Sequence, residues 1–293
     1  MNSRLWPVNK SPEQVFFDNR ACLFVRMEVM NVCLFPNDKP QSLEVAQALK
    51  EKLAKIAVNV TDQHPDIVIS IGGDGTFLSA VQQFSNQLST IRFVGVHTGH
   101  LGFYSDWLVS EIDTLVERIA DDQGQTVNYP LMEGRVHYAD GQVAQVLAVN
   151  EMILNRITNS LSLDVYIDDL LFEKFRGDGL CISTPAGSSG YNKSLSGALI
   201  DPDFSALQMT EIASINNRVY RTLGSPIIIS AGTKIRIVPE LGNSTINYDS
   251  YQLPHSEYEE IIFEICKQPL KMANLKQISF WQRVKNSFIG EDC

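Results

Sequence analysis

Apolar and polar positions along the chain fall into two textures that change near residue 125. From Met30 the run MNVCLF reads as a buried strand, PNDKPQ as a turn and SLEVAQALKEKLAKI as a helix. Leu43, Ala46, Leu49 and Leu53 share one face of that helix, the spacing of an element that covers a sheet. Ser42 stands where an N-cap is expected, and Val45 three residues on leaves no capping box. DIVISI, residues 66–71, is an unbroken apolar run, the form of a parallel strand covered on both faces. GGDGT follows it, and FLSAVQQFSNQL predicts a helix starting near Thr76. RFVGVHT is a further buried strand and VSEIDTLVERIADD a further helix. The alternation predicts an α/β N-terminal domain with an open, Rossmann-like sheet over residues 30–125.

Beyond that point the runs shorten. VNYPLMEGRVHY, GQVAQVLAVNEMILN, SLDVYIDDLLFEKF, LCISTP, SPIIIS, TKIRIVPE and EEIIFEI are strand-like and separated by turns. They predict a β-rich domain over residues 126–266, with a polar, helix-like interruption at 193–223. The amphipathic FWQRVKNSFIGED belongs to a tail, 267–293, expected to pack back on the N-terminal domain. Residues 1–29 form an extension in which SPEQ, residues 11–14, has the form of a capping box with Pro12 at the first helical position.

Hydrophobic residues make up 44% of the chain and charged residues 20%, ordinary globular values. The net charge of −10 argues against a nucleic-acid surface, which needs a basic stripe, but not against a single nucleotide. Cys22, Cys33, Cys181, Cys266 and Cys293 show no CxxC pair and read as reduced thiols. No run approaches the roughly 20 apolar residues of a membrane span. ACLFVRMEVMNVCLF is broken by Arg26 and Glu28 and lacks a signal cleavage pattern, so a cytoplasmic protein with no membrane partner is expected.

Four stretches carry candidate chemistry. In GGDGT, Gly72, Gly73 and Gly75 bare the backbone beside Asp74 and Thr76 between a strand and a helix, where an α/β sheet presents ligands. Such a loop suits phosphate, a metal or a plain tight turn, and it is neither a Walker loop nor GxGxxG. HTGHLGFY, residues 97–104, ends the next strand, and Phe103 and Tyr104 offer flat surfaces for a base or plugs for the core. His97 and His100 lack companions that would complete a metal site. Asn150–Glu151 interrupts the apolar VLAVNEMIL; buried, the pair needs partners, and the alternative is a bulge or an edge facing water. FRGDGLCISTPAGSSGYNKSLSGALIDP holds a second GDG and many hydroxyls that suit sugar and phosphate, or else a polar surface loop.

Together these blocks, in this order with MTEIASINNRVYRTLGSP, closely resemble the NAD kinase family, and FWQRVKNSFIGED resembles its Gram-positive form. The resemblance runs from about residue 30 to the end. GGDGT alone also occurs in diacylglycerol, sphingosine and phosphofructo-kinases, whereas the set of blocks is specific. The resemblance implies an α/β domain followed by a β-sandwich-like domain, with NAD held between them and a homo-oligomer, dimer or tetramer. It implies phosphoryl transfer from ATP, in some members polyphosphate, to the 2′-hydroxyl of the adenosine ribose of NAD, with a divalent cation, Mg²⁺ or Mn²⁺. By that resemblance Asp74 is catalytic, with Gly75 beside the ribose and Phe103 near adenine. Asn150 and Glu151 hold the adenosine end. Arg176, Asp178, Ser189, Gly190, Tyr191, Asn192, Lys193, Ser194, Ala213 and Asp249 complete the NAD site. No residue is assigned as a metal ligand. The chain departs from the usual TPTGSTAYN in carrying Ala186, Ser189 and Gly190. A lipid kinase would need an apolar or basic membrane-facing surface, and a non-catalytic NAD(P) sensor has little use for a carboxylate aimed at a ribose.

Overall fold

A computed structural model of the chain describes residues 29–290, apart from 100, 101, 157, 241–243, 255, 256 and 277. SPEQ, His100, Cys22 and Cys293 lie outside the described residues. The chain opens with β1 (Asn31–Pro36), α1 (Pro40–Ala54), β2 (Asn59–Val60), β3 (Ile67–Gly72) and α2 (Asp74–Gln83). There follow β4 (Arg92–His97), β5 (Trp107–Leu108), α3 (Ile112–Ala120) and β6 (Thr126–Tyr129). The strand-rich part runs through β7 (Met132–Tyr138), β8 (Val143–Ala148), β9 (Glu151–Asn155), β10 (Leu161–Ile167), β11 (Leu170–Gly177) and β12 (Gly179–Ser183). A four-residue helix, α4 (Tyr191–Ser194), precedes β13 (Ala206–Ile212), β14 (Ile227–Ser230), β15 (Ile235–Pro239), β16 (Thr245–Tyr248) and β17 (Tyr251–Gln252). The chain ends in β18 (Tyr258–Ile265), β19 (Leu270–Ala273) and α5 (Phe280–Phe288).

The first sheet has the order β2-β1-β3-β4-β19-β6, with β5 on β4, and is parallel except at β19–β6. Every residue of β3 is buried, as an apolar run without alternation requires when helices cover both faces. Two antiparallel sheets, β11-β10-β15-β18-β7-β8 and β14-β13-β12-β9-β16-β17, face each other over one shared core that includes Val136, Leu163, Leu180 and Phe263. The expected combination of an open α/β sheet and an all-β sandwich is therefore present. Residues 126–129 and 270–273 pair with each other at the edge of the first sheet rather than joining the sandwich.

Three local expectations change. Helix α1 begins at Pro40 with Lys39 as N-cap; Ser42 is buried inside it, and its hydroxyl meets that of Thr98 at 3.0 Å. The buried face is Ser42, Val45, Leu49 and Leu53, while Leu43 is 50% exposed. Helix α2 starts at Asp74, not Thr76, because Gly73 takes the extended cap conformation. The polar stretch 193–223 is not helical beyond α4. It contains the buried strand β13, in which Gln208 bonds the backbone of Ala198 and Thr210 bonds Asn192. No helix among the described residues is long and apolar enough to cross a membrane.

Helix α5 packs against the first sheet. Ser279 caps it by accepting the Gln282 N–H at 3.1 Å. Arg283, itself buried, donates to both carboxylate oxygens of Asp106 at 2.7 Å and to the Tyr129 hydroxyl at 2.7 Å. Burial pushes the Asp106 carboxyl above its ordinary range even with Arg283 beside it. Removing one partner of a buried pair leaves the other uncompensated, so Arg283→Ala is expected to cost about 3–5 kcal/mol. A urea melt reads this directly; a midpoint within error of the wild type would show that Asp106 finds another partner.

Candidate nucleotide site

The site begins where β3 ends. A Cβ on Gly72 would lie 2.2 Å from Thr76 Oγ1 and 2.6 Å from Asn37 Nδ2, so this glycine serves close packing. Gly73 and Gly75 have open space instead; Gly73 is the N-cap of α2 and Gly75 lies in its first turn, whose N–H groups and dipole favour an anion. Asp74 lies in that turn. Its Oδ2 accepts the Phe103 N–H at 2.9 Å and its Oδ1 the Tyr104 N–H at 3.2 Å. A Cβ on Gly102 would fall 2.1 Å from Asp74 Oδ1, so the two glycine loops interlock only because Gly102 has none.

Tyr104 is not a free stacking surface. Its ring is buried and lies parallel to Phe77 at 4.8 Å, and its hydroxyl donates to Asn150 Oδ1. Burial first, and then the charges of Asp249 and Asp74, push its phenol well above the ordinary range. Phe103 is half-buried, with its ring near those of Phe280 and Phe288 at 6.3 and 5.6 Å.

Asn150 and Glu151 sit at the start of β9, reached from the sandwich side. Asp249, in the left-handed region at φ 46°, accepts the Val149 N–H at 2.9 Å and the Asn150 N–H at 2.7 Å. Its own N–H donates to the Glu151 carbonyl at 3.0 Å. Thr184 closes the other side: its N–H reaches the Asn150 carbonyl at 2.8 Å and its hydroxyl the Val149 carbonyl at 2.5 Å. A Cβ on Gly187 would meet the Asn150 carbonyl at 2.1 Å. Asn150–Glu151 is therefore neither a bulge nor a water-facing edge. Glu151 is buried, its Oε2 has no partner among the described residues, and its carboxyl is pushed up to about 8 by burial first and the Asp249 charge second.

The segment from Ser189 to Ser194 turns over this point. Gly190 faces Glu151, since a Cβ there would lie 3.4 Å from Glu151 Oε2, and the Ser189 hydroxyl donates to the Ala186 carbonyl at 3.2 Å. Asn192 is fully buried and accepts from the Thr210 hydroxyl at 2.7 Å, a structural role. Tyr191 and Lys193 are exposed, and the Lys193 ammonium lies 4.3 Å above the Phe288 ring. Ser194 closes the short helix α4.

Arg176, Asp178 and Ala213 stand elsewhere. Strand β12 pairs Ser183 with Glu151 and Gly179 with Asn155, so Asp178 lies beyond the far end of the strand. The four intervening steps amount to roughly 13 Å. There Arg176 bonds Ser160 at 3.0 Å and covers the Tyr220 ring, while Asp178 N–H donates to Ile212 and Ala213 adopts φ 47°. The second GDG is not an open loop. A Cβ on Gly179 would lie 2.2 Å from the Leu154 carbonyl, and one on Gly177 2.9 Å from the Ala213 carbonyl. Gly102, Thr184 and Phe288 are not among the site residues assigned from the sequence, although all three lie inside stretches noted there.

A carboxyl whose native pKa exceeds its unfolded value stabilises the fold less as pH rises between the two, because the native state holds more protons there. For Glu151 the loss begins near the unfolded value of about 4.3 and is complete above about 8. Glu151→Gln removes it. Its melting midpoint is expected to fall less than the wild type's between about pH 5 and 8.5, with a gap of several degrees. Parallel curves would show that Glu151 ionises without penalty.

The ATP-NAD kinase N-terminal domain matches residues 18–124, ahead of the point near residue 30 where the motifs begin, and the ATP-NAD kinase C-terminal domain matches residues 149–275. The NAD kinase of Levilactobacillus brevis is 47% identical over 265 residues, 90% of this chain and 99% of that protein. That of Limosilactobacillus reuteri is 45% identical over 268 residues, 89% and 99% respectively. Among solved structures, yeast NADH kinase complexed with NADH superposes with a TM-score of 0.77 at 20% identity, covering 90% of this chain and 88% of that one. An NAD kinase from Archaeoglobus fulgidus in complex with ATP does so with a TM-score of 0.71 at 20% identity, covering 89% and 98%. With both domain models matched in order and relatives above 40% identity along nearly their full length, the chain belongs to the ATP-NAD kinase family.

Proposed function

We propose that the chain transfers the terminal phosphoryl group of ATP, or of polyphosphate, to the 2′-hydroxyl of the adenosine ribose of NAD, forming NADP, in the cleft between Asp74 and Asn150–Glu151. One observation carries the reading: a carboxylate at a helix N-terminus, held by the Phe103 and Tyr104 N–H groups, is linked through the Tyr104 hydroxyl to the half-buried Asn150 amide, next to the buried Glu151 carboxyl. Asp74 accepts the proton of the ribose hydroxyl and orients it. Phosphates approach the open backbone at Gly73 and Gly75, beside Thr76. Phe103 is the stacking surface for adenine, Asn150 and Glu151 hold the adenosine end, and Lys193 offsets phosphate charge. Because such transfers pass through a loose transition state, positioning and charge neutralisation count for more than strong base catalysis.

A divalent cation, Mg²⁺ or Mn²⁺, fits as a companion of ATP. Among the described residues no group of three or more His, Cys, Asp or Glu is placed to hold a metal, and Mg²⁺ is commonly held by substrate phosphates with one or two carboxylates. Asp74 is the carboxylate the loop offers, and the cation supplies charge neutralisation on the phosphates.

The Arg176, Asp178 and Ala213 group stands at the far end of β12 from Glu151. We read it as facing a second copy in a homo-oligomer, dimer or tetramer, supported by the exposed Val219, Tyr220 and Leu223 beside Arg176. A cytoplasmic site of action, where NAD and ATP are supplied, completes the reading.

Purified protein given NAD, ATP and Mg²⁺ is expected to form NADP, read through an NADP-specific dehydrogenase. Asp74→Asn should keep NAD affinity and lose about 10²–10⁴ in turnover. A near-normal rate in that variant would remove Asp74 from the chemistry.

A further inference from the structure

Helix α5 reaches past its Arg283 anchor to the cleft, and its last residue carries a ring that the proposed function leaves without a task. Phe288 is 43% exposed. Its ring lies 5.6 Å from that of Phe103 at an interplanar angle of 35°, and the Lys193 ammonium sits 4.3 Å above it. One side chain thus touches a residue of the loop that follows β4 and a residue of α4 on the sandwich side. These are the two groups assigned above to the base and to the phosphates, so any role for Phe288 at the nucleotide rests on that reading.

The ring is placed by a rigid element. Ser279 caps α5, and Arg283 fixes the helix to Asp106, three residues beyond Phe103 on the same loop. Phe280 adds a second aromatic contact to Phe103 at 6.3 Å. Lys193 carries a long side chain that samples many rotamers in water, and a cation held over an aromatic face loses most of that freedom in advance. Aromatic pairs and exposed cation–π contacts are individually weak, so they add little to global stability yet suffice to select one side-chain position.

We propose that Phe288 is a positioning residue of the nucleotide site: its ring holds Phe103 as a stacking surface and Lys193 as a phosphate-facing cation, making the C-terminal helix a third wall of the cleft.

The test compares full-length wild type with Phe288→Ala, Phe288→Tyr and Phe288→Trp, measuring NAD affinity by calorimetry and steady-state turnover with NAD varied at saturating ATP and Mg²⁺. Phe288→Ala is expected to weaken NAD binding and raise KM about tenfold, with kcat within about twofold. Its melting midpoint should move by less than about 3 °C, since the ring is half-exposed. The Tyr and Trp variants keep the aromatic face and should recover affinity to within about threefold of wild type. Unchanged affinity in Phe288→Ala would overturn the proposal, as would tighter binding, which would make the ring an obstruction. A joint fall of kcat, affinity and melting midpoint that neither aromatic rescues would reduce Phe288 to a packing residue. Wild-type turnover judges the kinase reading separately, because NAD affinity across the variants is read whether or not NADP forms.

Discussion

Two backbone N–H groups hold the Asp74 carboxylate, and much of the surrounding structure serves to bring them there. The loop that carries them, 102–106, folds back over β4 so closely that a Cβ on Gly95 would sit 2.2 Å from the Tyr104 carbonyl. It meets Asp74 only because Gly102 lacks a side chain. From below, the Tyr104 ring is stacked on Phe77 of α2; from the side, Arg283 of α5 grips Asp106. Strand, crossover helix and C-terminal helix therefore fix one short loop from three directions. A carboxylate held this way has little freedom left to lose, as the role proposed for it would require.

The same loop ties the two halves of the molecule together. The Tyr104 hydroxyl reaches Asn150 Oδ1, and Asn150 N–H reaches Asp249, so a hydrogen-bonded path runs from Asp74 into the sandwich. Asp249 holds a left-handed backbone conformation that costs a non-glycine residue on the order of 1 kcal/mol or more. Its carboxylate and its own N–H together make three backbone hydrogen bonds to residues 149–151, which offset that cost and display Asn150 and Glu151 at the mouth of β9. A shift of either half would move amide and carboxylate together.

Much of this was legible in the sequence because its cause is local. Unbroken apolar runs identify β3 and β4, and glycines flanking an aspartate between a strand and a helix identify the loop at the sheet edge. What escaped was decided by distant partners. Ser42 is buried because Thr98, just beyond β4, supplies a hydroxyl, and no pattern within α1 announces that. Polar residues such as Gln208 and Thr210 made 193–223 read as a polar, helix-like interruption, yet each is satisfied across the fold inside β13. The two GDG motifs share letters but not physics: one leaves its loop glycines open, the other uses both to let strands touch. The resemblance likewise grouped Arg176 and Asp178 with Ser189, and β12 sets them toward opposite ends.

Three carboxyl groups of the cleft show how environment divides labour among chemically similar side chains. Asp249 has both oxygens on backbone N–H groups and stays engaged with the protein. Asp74 also accepts two N–H bonds, but it stands at a helix N-terminus beside glycines with open space, where a hydroxyl can reach it. Glu151 Oε2 has no donor among the described residues and is buried next to Asp249, so burial and repulsion together favour its protonated form near neutrality. A neutral carboxyl can donate a hydrogen bond where an ionised one can only accept. Under the proposed function, these groups would offer a polyhydroxylated, anionic substrate one fixed acceptor for a proton and one group able to donate, without setting two free negative charges against phosphate. That division follows from which oxygens the backbone already occupies.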